Sequence, residues 1–208
     1  MGPSDAIVAV LAGGRAARLG QAKPLAELGG RALICHSLAA ARDSAMPAVV
    51  VAKPSTSLPR LDCDVVFEPE LPVHPLCGLV AALEFAERRE YRSVIAVACD
   101  MPFLTGSLLA WLASHGEREK ALVPRVDGRL QPLLGRYPAS QRAALQAALR
   151  QGCSLRDAVR RLDAAIAGEA QLARFGDPPR LCFNVNDADD LRVARELVAA
   201  ARRAPASR

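Results

Sequence analysis

The segment AIVAVLAGGRAARLGQAK, residues 6–23, joins a continuous apolar run directly to a pair of glycines. The run at 6–11 contains no polar residue, which predicts a β-strand that is covered on both faces. Gly13 and Gly14 follow at once, and Arg18 and Lys23 come soon after. The backbone N–H groups of such a loop can approach an anion closely, with cations around it. The segment therefore predicts a phosphate-binding loop at the carboxyl end of a buried strand.

The two glycines alone do not decide this interpretation. The loop lacks both the GK[ST] ending of a Walker A loop and the GxGxxG spacing of the dinucleotide fingerprint. A tight strand-to-helix turn with surface arginines would also explain the glycines. Lys23 favours phosphate binding, because a compact, rotatable ammonium suits a phosphate group. Only three of the 27 basic residues are lysine, namely Lys23, Lys53 and Lys120.

Short β-branched runs alternate with longer stretches of helical period along the rest of the chain, which indicates an α/β fold. The predicted strands are 6–11, 48–52, 64–67 and 93–98, with later candidates at 121–124, 130–136 and 181–185. The predicted helices are 31–43, 79–89, 107–114, 140–151, 154–162 and 188–203. We therefore expect a mainly parallel sheet flanked by helices, with some of the later strands pairing antiparallel at its edge.

The length and composition are typical of one soluble globular domain. The chain has 208 residues, of which 51% are hydrophobic and 24% are charged. No apolar run approaches the roughly 18 to 20 residues that a bilayer span needs, so we expect no membrane partner. The start lacks the basic lead-in of a secretory signal, which predicts a cytoplasmic location. We expect the domain to occupy residues 1–198, followed by a frayed Ala- and Arg-rich tail at 199–208.

The charge and cysteine patterns exclude two further classes of protein. The net charge of +5 comes from the second half, since residues 1–104 carry 10 Lys and Arg against 11 Asp and Glu. Aromatic residues make up only 4% of the chain, so stacking platforms for nucleic-acid bases are scarce and we expect no nucleic-acid partner. The six cysteines have no zinc-site spacing, and several lie in apolar segments, which is typical of reduced thiols in a reducing compartment.

The segment VIAVACDMPFL, residues 94–104, is an apolar run that ends in an acid. Ligand sites in open α/β sheets lie outside the carboxyl ends of the strands, so Asp100 is expected at the same edge as the glycine loop. Mg²⁺ is usually bound by one or two carboxylates together with phosphate oxygens. Asp100 is therefore a candidate magnesium ligand, although helix capping or a turn would explain the same residue when it is taken alone.

The segment CFNVNDADDL, residues 182–191, carries two asparagines before a predicted helix. Asn184 and Asn186 lie at the end of the predicted strand 181–185. These residues are candidate metal or substrate contacts. Turn and cap roles explain them equally well on composition.

These segments, taken in order, resemble the MobA-like nucleotidyltransferases, and most closely the molybdenum cofactor guanylyltransferases. The family pattern is a LAGGxxxRMGxxK loop, a GPLAG turn, a CDMPF-type strand end and a late FxNxNxxxDL segment. This chain has LAGGRAARLGQAK at 11–23, HPLCG at 74–78, CDMPFL at 99–104 and FNVNDADDL at 183–191. The resemblance spans residues 6–198, and four ordered motifs are far more specific than any one of them.

The resemblance implies a single α/β domain of Rossmann-like form with helices on both faces of the sheet and an antiparallel edge. It further implies Mg²⁺-dependent transfer of GMP from GTP to molybdopterin, with release of pyrophosphate. Its implied catalytic residues are Arg18, Lys23 and Asp100. Its implied nucleotide contacts are Leu11, Ala12, Gly13, Gly14, Lys23, Glu68 and Asp100. Its implied metal ligand is Asp100, and Asn186 is added as a candidate ligand from its place in the late motif.

Three departures from the family pattern keep other functions open. Ala22 replaces an acid before the loop lysine, Ala52 replaces an asparagine after the second strand, and His74 replaces the first glycine of the GPLAG turn. One alternative is a cytidylyltransferase, or a transferase that uses another NTP and another phosphorylated acceptor. A second alternative is a non-catalytic nucleotide-binding domain. The partners implied by the resemblance are GTP or another NTP, a phosphorylated pterin cofactor, and proteins of molybdoenzyme maturation.

Overall fold

The first strand, Ala6–Leu11, lies inside the main sheet and is covered on both faces. The computed structural model describes residues 5–14 and 22–203, with side chains as far as residue 201. The even-numbered residues of this strand pack into one hydrophobic core, and Ile7 and Ala9 pack into a second core on the opposite face. The strand therefore has no side that could carry a polar residue, which explains its unbroken apolar sequence.

The described residues form ten strands and eight α-helices. The strands are β1 Ala6–Leu11, β2 Glu27–Leu28, β3 Arg31–Ala32, β4 Ala48–Ala52, β5 Asp64–Phe67, β6 Ser93–Ala98, β7 Leu122–Val126, β8 Arg129–Leu130, β9 Leu134–Pro138 and β10 Ala165–Ala167. The helices are α1 Leu33–Asp43, α2 Pro75–Arg88, α3 Gly106–Ser114, α4 Arg142–Arg150, α5 Leu155–Arg161, α6 Glu169–Leu172, α7 Pro178–Leu181 and α8 Ala188–Arg203.

The main sheet has the strand order β10-β7-β9-β6-β1-β4-β5, with the short β8 paired to β7. The pairs β6–β1, β1–β4, β4–β5 and β10–β7 are parallel. Strand β9 is antiparallel to both of its neighbours, and β8 is antiparallel to β7. The mainly parallel α/β sheet with antiparallel strands on one side is confirmed, although β9 lies within the sheet rather than at its margin.

Helices cover both faces of this sheet, as expected. Helices α1 and α3 pack with the even-numbered face of β1, and α2, α4 and α5 pack with the odd-numbered face. Helix α8 covers the small β2–β3 hairpin through a third apolar cluster that includes Leu28, Val185 and Leu191. Among the described residues, no helix is both long enough and apolar enough to cross a membrane.

The four early strands begin and end at the predicted residues, and so does α8. The candidate strand at 130–136 is instead two strands, because the segment around Pro132 forms a turn in which the Leu134 N–H donates to the Gln131 carbonyl over 2.9 Å. The boundary between the domain and a tail at 199–208 stays a prediction, and residues 204–208 lie outside the described residues.

The predicted strand at 181–185 is wrong. Helix α7 ends at Leu181, and residues 182–187 form a loop without strand pairing. Asp177 caps α7 by accepting a hydrogen bond from the Arg180 N–H over 3.1 Å, and prolines fill the first helical positions, where their missing N–H has no cost. Leu181, Cys182 and Val185 are buried in two different apolar clusters. Because these residues are buried, the segment has the apolar pattern of a strand although it does not pair with the sheet.

Gly106 lets the start of α3 approach the end of α1. A Cβ atom at this position would lie 2.4 Å from the Asp43 carbonyl carbon and 2.6 Å from the Ser44 nitrogen. Backbone atoms cannot move aside as a flexible side chain can, so we expect Gly106→Ala to lower the free energy of unfolding by about 1 to 3 kcal/mol. Urea denaturation of this variant beside Ser107→Ala, an exposed neighbour in the same turn, measures the effect. Equal stability of the two variants would contradict the close packing.

Candidate active site

The carboxyl ends of β1, β5 and β6 surround a cavity of about 340 Å³. Of the candidate contact residues predicted from the sequence, eight line this cavity: Leu11, Gly13, Gly14, Lys23, Glu68, Asp100, Asn184 and Asn186. Ala12 is buried beneath the loop and does not line the cavity, and Arg18 lies outside the described residues. The fold thus brings residues from four separated sequence motifs into one concave site.

Lys23 joins the glycine-loop motif to two other motifs through its contacts with Asp100 and Asn186. Its Nζ donates one hydrogen bond to Asp100 Oδ2 and another to Asn186 Oδ1 at 3.0 Å. Both members of the ion pair are largely buried, with side-chain exposures of 13% for Lys23 and 10% for Asp100. An ammonium held in this way is a fixed positive charge in the cavity wall, next to an acid that follows a buried strand.

The loop that carries Asn186 is tied to the Asp100 segment through the backbone. The Val185 N–H donates to the Asp100 carbonyl over 2.9 Å, and the Asn186 N–H donates to Asp190 Oδ2 over 2.8 Å. Asn184 also lines the cavity. Both asparagines therefore lie in a loop rather than in the predicted strand, and both line the one cavity.

Glu68 occupies a cradle formed by two glycines. A Cβ atom on Gly13 would lie 1.7 Å from Glu68 Oε1, and one on Gly78 would lie 3.1 Å from Glu68 Oε2. The side chain is only 5% exposed, and Oε2 has no hydrogen-bond partner among the described residues. An unpartnered buried carboxylate oxygen in a cavity wall is an acceptor available to a ligand.

Lys53 was not a candidate from the sequence, yet the structure places it beside Glu68. Its Nζ lies 3.8 Å from Glu68 Oε1 and donates to the carbonyls of Pro69 at 2.6 Å and Glu70 at 2.8 Å. Its side chain is 8% exposed, which is rare for lysine. Lysine is scarce in this sequence, which is a signal for Lys53, but Lys53 belongs to none of the four motifs that carry the family resemblance.

Two opposing effects act on the Glu68 carboxyl. Burial raises its pKa above the usual value, because an anion is poorly solvated there, and the Lys53 charge lowers that pKa in part. Burial also raises the pKa of the Cys77 and Cys99 thiols that lie near the cavity. These thiols therefore stay protonated, and all six cysteines of the chain are free.

His74 precedes helix α2 at the cavity rim and is its N-cap residue. Its Nδ1 accepts a hydrogen bond from the Leu76 N–H over 3.1 Å, so the imidazole caps the helix where the family pattern has a glycine. A second recess of about 420 Å³ adjoins the cavity and shares Gly13, Gly14 and Lys23 with it. The glycine loop and Lys23 therefore stand between two spaces that could each hold a ligand.

The donor set around Asp100 fits a magnesium ion that is shared with phosphates. Asp100 Oδ1 is buried and has no hydrogen-bond partner among the described residues, and the Asn186 amide oxygen also reaches Lys23. No group of three or more His, Cys, Asp and Glu side chains within the described ranges could hold a metal alone. Mg²⁺ does not need such a cage, since it commonly takes one or two carboxylates and completes its shell with phosphates and water.

Comparison with known proteins agrees with the motif order and the geometry. Residues 8–166 match the MobA-like NTP transferase domain. The chain belongs to this nucleotidyltransferase family. It is 31% identical to a probable molybdenum cofactor guanylyltransferase of Pelotomaculum thermopropionicum, over 89% of this chain and 90% of the relative. It is 30% identical to a molybdenum cofactor guanylyltransferase of Rhizobium leguminosarum bv. trifolii, over 97% of both chains.

A crystal structure of a MobA-like family relative shares the architecture. Molybdopterin-guanine dinucleotide biosynthesis protein A of Archaeoglobus fulgidus superposes with a TM-score of 0.78 at 29% identity, over 93% of this chain and 99% of that one. The similarity extends past the residues of the domain match and covers most of the elements that surround the cavity. Most of this chain therefore shares its architecture with that protein.

The glycine cradle predicts the effect of Gly13→Ala. The added Cβ would overlap Glu68 Oε1, and the flexible glutamate would move aside at little cost to the fold. We expect the Kd for the nucleotide to rise at least about tenfold, because one misplaced charged hydrogen bond costs about 1.5 to 3 kcal/mol. Gly14→Ala should weaken binding less, since its Cβ would meet no atom within 4 Å. Isothermal titration calorimetry measures both, and equal affinities of the two variants would contradict a role for the cradle.

Proposed function

We propose that this protein is a molybdenum cofactor guanylyltransferase, which transfers GMP from GTP to molybdopterin and releases pyrophosphate in the presence of Mg²⁺. The observation that carries the proposal is one cavity lined by the Lys23–Asp100 ion pair and by Glu68, with an unpartnered oxygen on each carboxylate. Family membership and the names of the relatives support the same reaction.

The reaction needs positioning and charge neutralisation more than covalent chemistry. A phosphate oxygen of the acceptor forms a bond to the α-phosphorus of GTP, the bond from that phosphorus to the bridging oxygen breaks, and pyrophosphate leaves. Lys23 neutralises charge on the phosphates from a fixed position, and Arg18 is proposed to assist it from the same loop. No nucleophilic side chain is required for such a transfer.

Asp100 and Asn186 are the residues that would hold Mg²⁺ beside the phosphates. When bound, the ion supplies positive charge to the oxygens of the transferring and leaving groups. The free Asp100 Oδ1 is an oxygen of the kind that Mg²⁺ prefers. The Lys23 ammonium lies against the other oxygen of the same carboxylate, which orients the acid in the absence of nucleotide.

Glu68 supports guanine as the base. An ionised carboxylate is an acceptor only, and guanine presents the N1–H and N2–H donors next to each other. Cytosine and adenine present one amino group beside an acceptor nitrogen, and uracil presents one N–H between two carbonyls, so a carboxylate matches each of them less well. Ala52, which replaces the family asparagine at the end of β4, offers no side-chain hydrogen bond of its own. Glu68 is therefore the side chain that we propose for selection of the base.

A cytoplasmic location and hand-over of the product to proteins of molybdoenzyme maturation complete the proposal. Six free cysteines suit a reducing compartment.

A pyrophosphate-release assay tests the function. The purified chain is supplied with Mg²⁺ and with GTP, CTP, ATP or UTP in turn, each with and without molybdopterin. We expect release that depends on GTP and on the acceptor together. Faster release with CTP would point to a cytidylyltransferase, and release without molybdopterin to another acceptor. Binding of a nucleotide without turnover under every condition would favour a non-catalytic domain.

Asp100→Ala tests the metal assignment. Loss of the carboxylate removes the Lys23 partner and the free oxygen for Mg²⁺, so we expect kcat to fall at least about 100-fold, in line with the loss of one transition-state electrostatic contact. Asp64→Ala is the control, because this exposed acid pairs only with the exposed Arg89 among the described residues. Circular dichroism verifies folding of both variants. Unchanged kcat in Asp100→Ala would refute the assignment.

A further inference from the structure

We propose that Lys53 is a positioning residue for base selection, which holds the Glu68 carboxylate as an anion against Gly13 and Gly78 so that Glu68 accepts hydrogen bonds from the guanine base. This inference rests on the proposed use of GTP and adds a residue to it. Lys53 lies outside the motifs that carry the family resemblance. Its role is derived from the contacts that it makes in this chain.

The Lys53 ammonium is held from three sides. It donates to the Pro69 carbonyl at 2.6 Å and the Glu70 carbonyl at 2.8 Å, and it lies 3.8 Å from Glu68 Oε1. Lysine has three N–H donors, so two are committed to the backbone and the third is left on the side of the carboxylate. The ammonium therefore connects the end of β4 to the segment that follows β5, and it fixes the position of the Glu68 backbone.

A second set of contacts keeps this segment in place. The Ser55 N–H and Oγ donate to the Glu70 carboxylate at 2.8 and 2.9 Å, which joins the loop after β4 to the loop after β5. The Lys53 N–H donates to Thr56 Oγ1 at 3.2 Å within the same loop. Lys53 thus lies in a loop that is hydrogen-bonded to the loop after β5, and its ammonium has little freedom to move away from Glu68.

The charged and titratable groups around Glu68 leave Lys53 as the neighbouring cation. Glu70, on the same loop, adds negative charge, and the Cys77 thiol on α2 is neutral because its pKa is raised by burial. His74, just before α2, uses Nδ1 to cap that helix. Across the cavity, Lys23 is paired with Asp100. Of the charges in the described residues, Lys53 is the cation that lowers the pKa of Glu68.

Loss of this cation would change the chemistry of Glu68. A buried carboxyl without a compensating charge takes up a proton more readily, and a protonated carboxyl presents an O–H donor where guanine presents N–H donors. Guanine would then lose its acceptor, whereas binding of the phosphates at Lys23 would be retained. The consequence is a specific loss of affinity for GTP that higher pH can reverse.

The experiment is calorimetric titration of the full chain with GTP and Mg²⁺ at pH 6 to 9. The variants are Lys53→Met, Lys53→Arg, Glu68→Gln and the double variant Lys53→Met with Glu68→Gln. Lys120→Met is the matched control, because Lys120 forms an exposed pair with Asp163 away from the cavity. If Lys53→Met does not fold, Lys53→Gln replaces it, since an amide still donates to the backbone without carrying a charge.

We expect Lys53→Met to raise the Kd for GTP at least tenfold at pH 7 and to recover most of the affinity at pH 9, where Glu68 ionises again. Lys53→Arg should retain more affinity than Lys53→Met. Glu68→Gln should bind weakly at every pH, and the double variant should bind no more weakly than Glu68→Gln. Losses that add in the double variant, or a loss in Lys53→Met that does not change with pH, would overturn the proposal.

The wild-type protein separates this inference from the proposed function. If it binds CTP or ATP more tightly than GTP, guanylyl transfer fails, and the same titrations are run with the preferred nucleotide. A pH-reversible loss in Lys53→Met would then still support Lys53 as the residue that keeps Glu68 charged. An affinity of Lys53→Met equal to that of the wild type for the preferred nucleotide would reject the role of Lys53 even if GTP is the substrate.

Discussion

Coverage of β1 on both faces is the constraint on which the rest of the structure depends. Its side chains are apolar throughout, and its backbone pairs with β4 on one side and β6 on the other. The pairing continues beyond the strand, where the Ala12 N–H donates to Val51 and the Cys99 N–H donates to the Leu11 carbonyl. The Ala12 N–H and the Leu11 carbonyl are thus used inside the sheet, and β6 delivers Asp100 to the same edge because the two strands are parallel.

The site is an arrangement of two lysine–carboxylate pairs at this edge. Lys23 with Asp100 and Lys53 with Glu68 are both largely buried, and each pair has one carboxylate oxygen without a partner among the described residues. A buried charge pair is weak evidence for stability, since desolvation offsets much of the attraction. Free acceptor oxygens in a cavity wall are better explained by a ligand, with phosphates and metal at one pair and the base at the other.

The fold was predictable where one local pattern decided each element. The runs at 48–52 and 93–98 are bounded by turns and apolar within, and the structure has these strands at the predicted residues. The segment 181–185 is also mainly apolar, yet it lies partly buried in a loop that is anchored by the Asp100 carbonyl. Burial sets the apolar pattern, and whether a neighbouring strand is available to pair is a property of the whole chain. No local feature of the sequence shows whether a partner strand is available.

The sequence by itself determined the α/β class, the family and the motif residues. The apolar strands, the glycine loop and the acid after β6 are each recognisable within one contiguous segment. Only the tertiary structure decided which of these residues meet. Asn184 and Asn186 both line the cavity because the backbone of their loop is hydrogen-bonded to the Asp100 carbonyl. Lys53 acquires its place from the Pro69 and Glu70 carbonyls and from Glu68, all about 15 positions further along the chain. Contacts between distant residues depend on the path of the intervening backbone, so a lysine outside any motif could be recognised only after the chain had folded.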